Sequence, residues 1–325
     1  MDRSPAEQAR IIDQARATDP ALAAELVALL SEDVSIVTAL RTAGLKPDDA
    51  RATLRENTIP SQSIAIPNYR VTGTLGKGGM GVVYAAAQLR PPLPVAIKVL
   101  HVMAPEAIAR FQAEFAIMKS LVHPSIVRVF ETGETGKHPY IVMEHVDGVT
   151  LDVHVMQRAP SRADRLALFA QLCDAVQFAH DNSVVHRDLK PHNIMVRRTG
   201  GIAILDFGVA RTAGSTRSMH GDVIGTLTYM APEQAAGRID EIDGRADVYS
   251  LGVVLFELVS GGVPHDLKGL HLASAVKKIM TEPARVLGSG DRELDAICQA
   301  ALAKQRDGRP RSAAELARRI RAISH

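Results

Sequence analysis

Apolar positions follow three successive patterns along the chain. Up to about residue 60 they recur at helical spacing. Ser4-Pro5-Ala6-Glu7 places a cap residue, a Pro at the first helical position and an acid at the third, which satisfies orphan amides locally. A second start at Asp19-Pro20 precedes a stripe of Leu22, Leu26, Leu29 and Leu30, and a third helix is expected from about Asp33 to Ala43, ending at Gly44. From Tyr69 the pattern changes to short runs centred on Val71, Val82-Val83 and Val95-Ala96-Ile97, the β-branched content of consecutive strands. From about Leu151 it becomes mainly helical, broken between Val184 and Asp206 by short apolar strands around polar clusters. Strands first and helices later predict an α+β chain of two lobes with a ligand cleft between them. Pro60 to Pro67 reads as the linker, so the expected organisation is a helical module over 1–60, a linker over 61–68 and a main domain over 69–325.

Composition sharpens this division. The chain has 325 residues, 46% hydrophobic and 23% charged, enough for a substantial core and about two domains. Residues 1–65 hold no aromatic and carry 10 acidic against 7 basic residues, whereas the remainder carries 26 acidic against 31 basic. The net charge of +2 has no basic block behind it, and Trp is absent, so nucleic acid is not an expected partner. Cys173 and Cys298 lie far apart in apolar stretches without metal-ligand spacing and read as small buried hydrophobes in a reducing compartment. No signal-peptide core is present, and the apolar runs fall short of the roughly 20 residues that span a bilayer. A soluble, cytoplasmic protein is expected.

The candidate chemistry begins at Gly76, Gly78 and Gly81, spaced G-x-G-x-x-G in L-G-K-G-G-M-G-V-V-Y. Such glycines let backbone amides approach phosphates. A dinucleotide fold shares the spacing but needs a helix to open there, whereas Val82, Val83 and Tyr84 continue as a strand and predict a hairpin. Lys98 follows in V-A-I-K; alone it also reads as a snorkelled surface lysine, but beside a glycine hairpin it is a candidate phosphate clamp. Its candidate carboxylate partner is Glu114 in F-Q-A-E-F, which could equally be a solvated helix residue. More specific is V-V-H-R-D-L-K-P-H-N-I-M-V, which gathers Arg187, Asp188, Lys190 and Asn193 in one loop held by apolar flanks. I-L-D-F-G then supplies Asp206. Asn193 and Asp206 are oxygen donors suited to Mg²⁺, Asp188 can accept or orient a hydroxyl proton, and Lys190 can neutralise developing phosphoryl charge.

Taken together, these elements resemble the eukaryotic-type Ser/Thr protein kinases, especially their bacterial branch. The glycine loop, V-A-I-K, H-R-D-L-K-P-H-N at 186–193, D-F-G at 206–208, A-P-E at 231–233 and D-V-Y-S-L-G at 247–252 stand in family order, and the likeness covers roughly 69–325. The resemblance implies a bilobal kinase-like fold, with an N-lobe over 69–143, a hinge over 144–147 and a C-lobe over 148–325. It implies ATP and Mg²⁺ as cofactors, with Mn²⁺ as an alternative metal. Lys98 would pair with Glu114 and hold the α/β phosphates, Asp188 would be the catalytic base, and Asn193 and Asp206 the metal ligands. Met143 would back the adenine pocket, Glu144 and Val146 would offer it backbone hydrogen bonds, and Val83 and Ala96 would pack on its faces. Glu233 would pair structurally with Arg309. Thr226 would organise Asp188 and Lys190, and with the K-P after Asp188 it points to Ser/Thr acceptors on protein substrates.

The same resemblance makes Thr212, Ser215, Thr216 and Ser218 candidate autophosphorylation sites, with Arg187 placed to meet a phosphate. Glu114 follows Lys98 by only 16 positions, a slightly short connection. Many bacterial relatives carry a membrane span and external modules after the kinase domain; this chain resembles either a soluble kinase or a shortened form of a longer one. Residues 1–60 remain a packing or docking module, a candidate for regulation, with self-association or partner binding as the alternative. A nucleotide-binding pseudokinase scaffold and a small-molecule phosphotransferase are the competing functions. The intact Lys98, Asp188, Asn193 and Asp206 speak against the first, and A-P-E with Thr226 against the second.

Overall fold

The computed structural model describes residues 65–78, 81–101, 115, 117–136, 138–207 and 223–323. The chain divides after Pro60 into two units, and everything described belongs to the second. The expected helices of 1–60, Glu114, and the candidate phosphoacceptors Thr212, Ser215, Thr216 and Ser218 lie outside the described residues.

Five antiparallel strands form the first lobe: β1 (Tyr69–Gly78), β2 (Gly81–Leu89), β3 (Pro92–Leu100), β4 (Val129–Thr135) and β5 (His138–Glu144), in the order β1-β2-β3-β5-β4. Val95, Ile97 and Val99 on β3 are fully buried, because β3 lies at the centre of the sheet. Before β1, Ile66 is buried and its carbonyl accepts from Tyr69 N at 3.1 Å, closing a turn at the end of the expected linker. Residues 117–120 are helical, and Phe115 and Met118 contribute buried side chains beneath the sheet.

β5 ends at Glu144 and β6 (Gly148–Thr150) begins after three irregular residues. Then come α1 (Leu151–Arg158), α2 (Arg162–Asp181), a 3-10 turn (Pro191–Asn193), β7 (Ile194–Arg197) and β8 (Ile202–Ile204). The rest is helical: α3 (Val223–Leu227), α4 (Pro232–Ala235), α5 (Gly244–Ser260), α6 (Leu272–Thr281), α7 (Arg292–Ala301) and α8 (Ala313–Ile323). The expected two-lobed α+β fold is present.

The helical lobe is built on α5, which is buried on nearly every face, as expected of a helix that is apolar almost all round. Asp243 caps its start by accepting from Arg245 N at 2.8 Å, and Gly261 ends it with φ 71°. Against it pack α2, whose buried stripe runs from Leu166 to Ala179, and α7 and α8. Cys173 and Cys298 are both buried in this core, and burial raises both thiols, Cys298 to about 12. They serve as small hydrophobes, as read from the sequence. The lobes are stitched where the chain before β4 meets β8: Val127 N donates to Ile204 O at 3.0 Å and Ile204 N to Ser125 O at 2.9 Å. That stitch stands two residues before Asp206.

Candidate active site

Strand register assembles one wall of the site. Gly76 pairs with Val83, Val83 with Lys98, and Lys98 with Ile141, while Ala96 pairs with Met143. Paired residues share a face and side chains alternate along a strand, so Val83, Lys98, Ala96 and Met143 all stand on the same face of the sheet. Gly78 pairs with Gly81, so the glycine segment is the expected β-hairpin rather than the start of a helix. Gly81 is needed for close approach: a Cβ there would lie 2.1 Å from the Val99 carbonyl oxygen on β3. Met143 and Val146 are buried, and Leu121, Ile204 and Phe207 line the apolar space behind Met143.

Lys98 Nζ meets Asp206 Oδ2 at 2.7 Å. The ammonium is 16% exposed and the carboxylate 41%, so the lysine is the more enclosed partner. This pair was not foreseen from the sequence, which assigned Lys98 to Glu114.

The loop between α2 and β7 is tied from below by Asp247 of α5, which is fully buried. Asp247 accepts from His186 N at 2.8 Å, Arg187 N at 2.9 Å and His180 Nε2 at 2.7 Å. Burial pushes its carboxyl upward, but the bonds from His180 and His186 together outweigh that and hold it below the usual carboxylate value. His186 accepts at Nδ1 from Asp188 N at 3.2 Å, donates from Nε2 to Leu205 O at 2.9 Å, and packs on the Phe207 ring. Arg187 takes φ 64°, the left-handed region that costs a non-glycine residue on the order of 1 kcal/mol or more. The surrounding bonds hold it there.

These ties bring the loop's polar tips together. Asn193 Nδ2 donates to the Asp188 carbonyl at 2.8 Å and to Asp188 Oδ2 at 3.1 Å. Lys190 Nζ lies 3.2 Å from Asp188 Oδ2 and donates to Thr226 Oγ1, also at 3.2 Å. Leu205 N donates to Asn193 O at 2.8 Å, which sets Asp206 beside the Asn193 turn. Since the donor end of the Asn193 amide is held by Asp188, its oxygen is the end left for a cation. With the Asp206 carboxylate this makes a two-oxygen protein donor set. Mg²⁺ commonly binds through one or two side-chain oxygens, taking its other ligands from phosphates and water, so the residues fit. Among the described residues no cluster of three or more His, Cys, Asp or Glu could hold a metal instead.

The segment around A-P-E forms the other wall. Glu233 and Arg309 make a bidentate ion pair at 2.7 and 2.8 Å, both buried, as expected from the sequence. Tyr229 donates its hydroxyl to Glu257 Oε2 at 2.7 Å; burial first, and the adjacent carboxylate second, push the phenol far above its ordinary range. Glu144 is more than a supplier of backbone groups. Its carboxylate pairs with Arg197 at 2.5 Å, and its N–H donates to Arg128 O at 2.9 Å, fastening the interlobe crossing to both lobes.

Asp188, Lys190, Asn193 and Thr226 thus stand in one hydrogen-bonded group, with Lys98 and Asp206 paired beside Leu205. Gly76, Gly78, Gly81, Val83, Ala96 and Met143 belong to the sheet above, and Glu144 and Val146 to the crossing. The sequence marks Asp247 and His186 only as members of D-V-Y-S-L-G and H-R-D-L-K-P-H-N, with no role of their own. A carboxylate inside an otherwise apolar helical run, D-V-Y-S-L-G, was the available signal, because a buried acid has to find donors.

Residues 69–318 match the family model described as the protein kinase domain. The chain is 40% identical over 261 residues to the serine/threonine-protein kinase PknB of Mycolicibacterium smegmatis, covering 76% of this chain and 41% of that protein. It is 37% identical over 261 residues to the serine/threonine-protein kinase Pkn1 of Myxococcus xanthus, covering 77% and 37%. It therefore spans about two fifths of the length of these relatives. The crystal structure of the Mycobacterium tuberculosis PknI kinase domain superposes with a TM-score of 0.63 at 27% identity, covering 81% of this chain and 99% of that one. With the matched domain, the loop geometry and the shared fold in place, the chain belongs to the bacterial eukaryotic-type Ser/Thr protein kinase family.

Proposed function

We propose that this chain transfers the γ-phosphoryl group of ATP to Ser or Thr hydroxyls of protein substrates. The observation that carries this reading is the single hydrogen-bonded group of Asp188, Lys190, Asn193 and Thr226. Asp188 accepts the acceptor-hydroxyl proton or orients that hydroxyl for in-line attack. Lys190, held between Asp188 and Thr226, counters the negative charge on the transferring group. Thr226 joins the wall of the acceptor site to this lysine and favours a Ser or Thr hydroxyl.

On the nucleotide side, Gly76, Gly78 and Gly81 cover the phosphates, and Lys98 reaches the α/β phosphates from the same sheet face. Glu114 is the carboxylate that receives Lys98 when Asp206 is engaged elsewhere. Val83, Ala96 and Met143 enclose the adenine ring, and the Glu144 carbonyl and Val146 N–H read its edge. Asn193 and Asp206 would hold Mg²⁺, or Mn²⁺ in its place, which when bound would supply positive charge against the phosphates. Autophosphorylation within 208–222, where Thr216 and Ser218 are the candidate activating sites, belongs to the same proposal. Among the described residues no helix is long and apolar enough to cross a membrane. We place the domain in the cytoplasm, where ATP is supplied.

The test is phosphotransfer to a generic protein acceptor with ATP and Mg²⁺, read by phosphoamino-acid analysis. Phosphoserine or phosphothreonine is expected from the wild type, with a loss of at least about a thousandfold in Asp188→Asn, as for removal of a group acting at the reacting atom. Phosphotyrosine, no protein phosphate, or equal activity in Asp188→Asn would each overturn the reading.

A further inference from the structure

Asp188 belongs to a loop whose backbone is held from below by Asp247, which takes the N–H groups of His186 and Arg187. The next peptide unit, between Arg187 and Asp188, carries the acid itself. Its N–H donates to His186 Nδ1 at 3.2 Å. Its carbonyl, that of Arg187, receives the side-chain amide of Gln234, with Nε2 at 3.0 Å. The other end of the same amide accepts from Ala231 N at 3.2 Å. Gln234 follows Glu233, whose bidentate bond to Arg309 fixes α4 to the helical floor; Arg309 also donates to the Arg245 carbonyl, two residues from Asp247. The neighbouring side chains of Glu233 and Gln234 therefore connect α4 to the floor and to the Asp188 loop.

We infer that Gln234 is a positioning residue for phosphotransfer, setting the orientation of the Arg187–Asp188 peptide and through it the Asp188 carboxylate. This rests on the kinase reading above. Arg187 sits at φ 64°, so the peptide following it leaves a conformation that a non-glycine residue does not hold without support. Asp247 fixes the amides on the N-terminal side of that φ, and Gln234 fixes the carbonyl on its C-terminal side. Without Gln234 the peptide keeps only the bond from its N–H to His186 Nδ1, so it can rotate toward a relaxed geometry, and Asp188 moves with it. Nucleotide and metal contacts lie on the sheet, the crossing, Asn193 and Asp206, whereas the Gln234 bonds go to Arg187 O and Ala231 N, so the effect falls mainly on the chemical step.

Two variants separate this role from simple helix capping. Gln234→Glu keeps an oxygen for Ala231 N but presents a second oxygen, not a donor, to the Arg187 carbonyl. Gln234→Met removes both bonds at similar size. Loss of one half-buried hydrogen bond predicts a kcat about tenfold lower for both variants, with KM for ATP within about twofold of wild type. If Gln234 only caps α4, Gln234→Glu keeps wild-type kcat and Gln234→Met alone loses it, which overturns the inference. So does a rise in KM for ATP that accounts for the whole loss.

Amide hydrogen exchange supplies a readout that needs no activity. Both variants should exchange faster at 186–190, by about tenfold, with the amides of α5 unchanged. Unchanged exchange at 186–190 refutes the inference. A wild type without phosphotransfer refutes the kinase reading instead, and the exchange comparison still decides for or against Gln234.

Discussion

Breaking the Glu233–Arg309 pair should cost the domain much of its stability without touching the reacting atoms. The pair's side chains are 3% and 0% exposed, and Arg309 does more than neutralise Glu233. Its guanidinium also donates to the carbonyls of Ala303 at 2.8 Å, Arg245 at 2.9 Å and Lys304 at 3.0 Å, so five bonds end on one side chain. Arg309→Met keeps much of the volume but leaves a buried carboxylate and three carbonyls without their donor. Removing one partner of a buried pair costs about 3–5 kcal/mol. For a domain of this size each kcal/mol shifts Tm by about 2–4 °C, so a fall of about 6–20 °C is expected. Far-UV circular dichroism during heating is the assay, since the absence of Trp rules out tryptophan fluorescence. Pairing Arg309→Met with Glu233→Leu removes the stranded charge and should recover part of the loss. The three carbonyls keep the recovery incomplete. An Arg309→Met protein melting within about 3 °C of wild type, or a double variant no better than the single, would refute this account of the pair.

Thr226→Val deletes the hydroxyl that Lys190 Nζ donates to at 3.2 Å and should lower kcat about tenfold, while Thr226→Ser stays within about threefold; steady-state phosphorylation of a protein acceptor checks both. His265 is buried and accepts from Lys304 Nζ at 2.8 Å, and burial, followed by the nearby Lys304 and Lys278 charges, lowers it from an ordinary 6.5 to about 4. The unfolded chain binds a proton at this residue below about pH 6.5, and the folded one only near pH 4. The stabilisation is therefore full above pH 6.5 and lost as pH falls toward 4. After allowance for solvent screening, His265→Gln should remove about 1–2 kcal/mol of the stability difference between pH 7 and pH 5, read by urea unfolding at both values.

Much of the fold was legible because periodicity and punctuation agreed. Val82-Val83, Val95-Ala96-Ile97 and Ile202-Ala203-Ile204 had no helical stripe to compete with, and all lie in strands. The glycine spacing was ambiguous alone, and the β-branched residues after Gly81 decided for a hairpin. Asp188, Lys190 and Asn193 were legible because polar groups between short apolar runs have few places to go except a shared cleft, whereas Thr226 came only from the family resemblance. Gln234 was not, since its effect depends on the left-handed turn at Arg187 that brings a carbonyl within its reach. The side chain of Glu144 was missed for a similar reason: its partner Arg197 is 53 residues away, and only the seating of β7 beneath the crossing makes them neighbours.

Lys98 marks where sequence reasoning reaches its physical boundary. An ammonium on the enclosed face of a strand requires an acid, and the strand register stands Lys98 on the same sheet face as Ala96. Which acid it meets is a separate question, because Glu114 and Asp206 are competing candidates for one cation. Asp206 sits at 2.7 Å. Coulomb attraction alone does not tell one carboxylate from another; the outcome turns on what else each can bind. On the same proposed reading Asp206 would also donate to a divalent ion, and a divalent cation outcompetes an ammonium for a carboxylate that can coordinate it. On the function proposed above, Asp206 held by Mg²⁺ would leave Lys98 to phosphate oxygens and to Glu114. The partner of Lys98 would then depend on what else its carboxylates bind, which residue spacing does not encode.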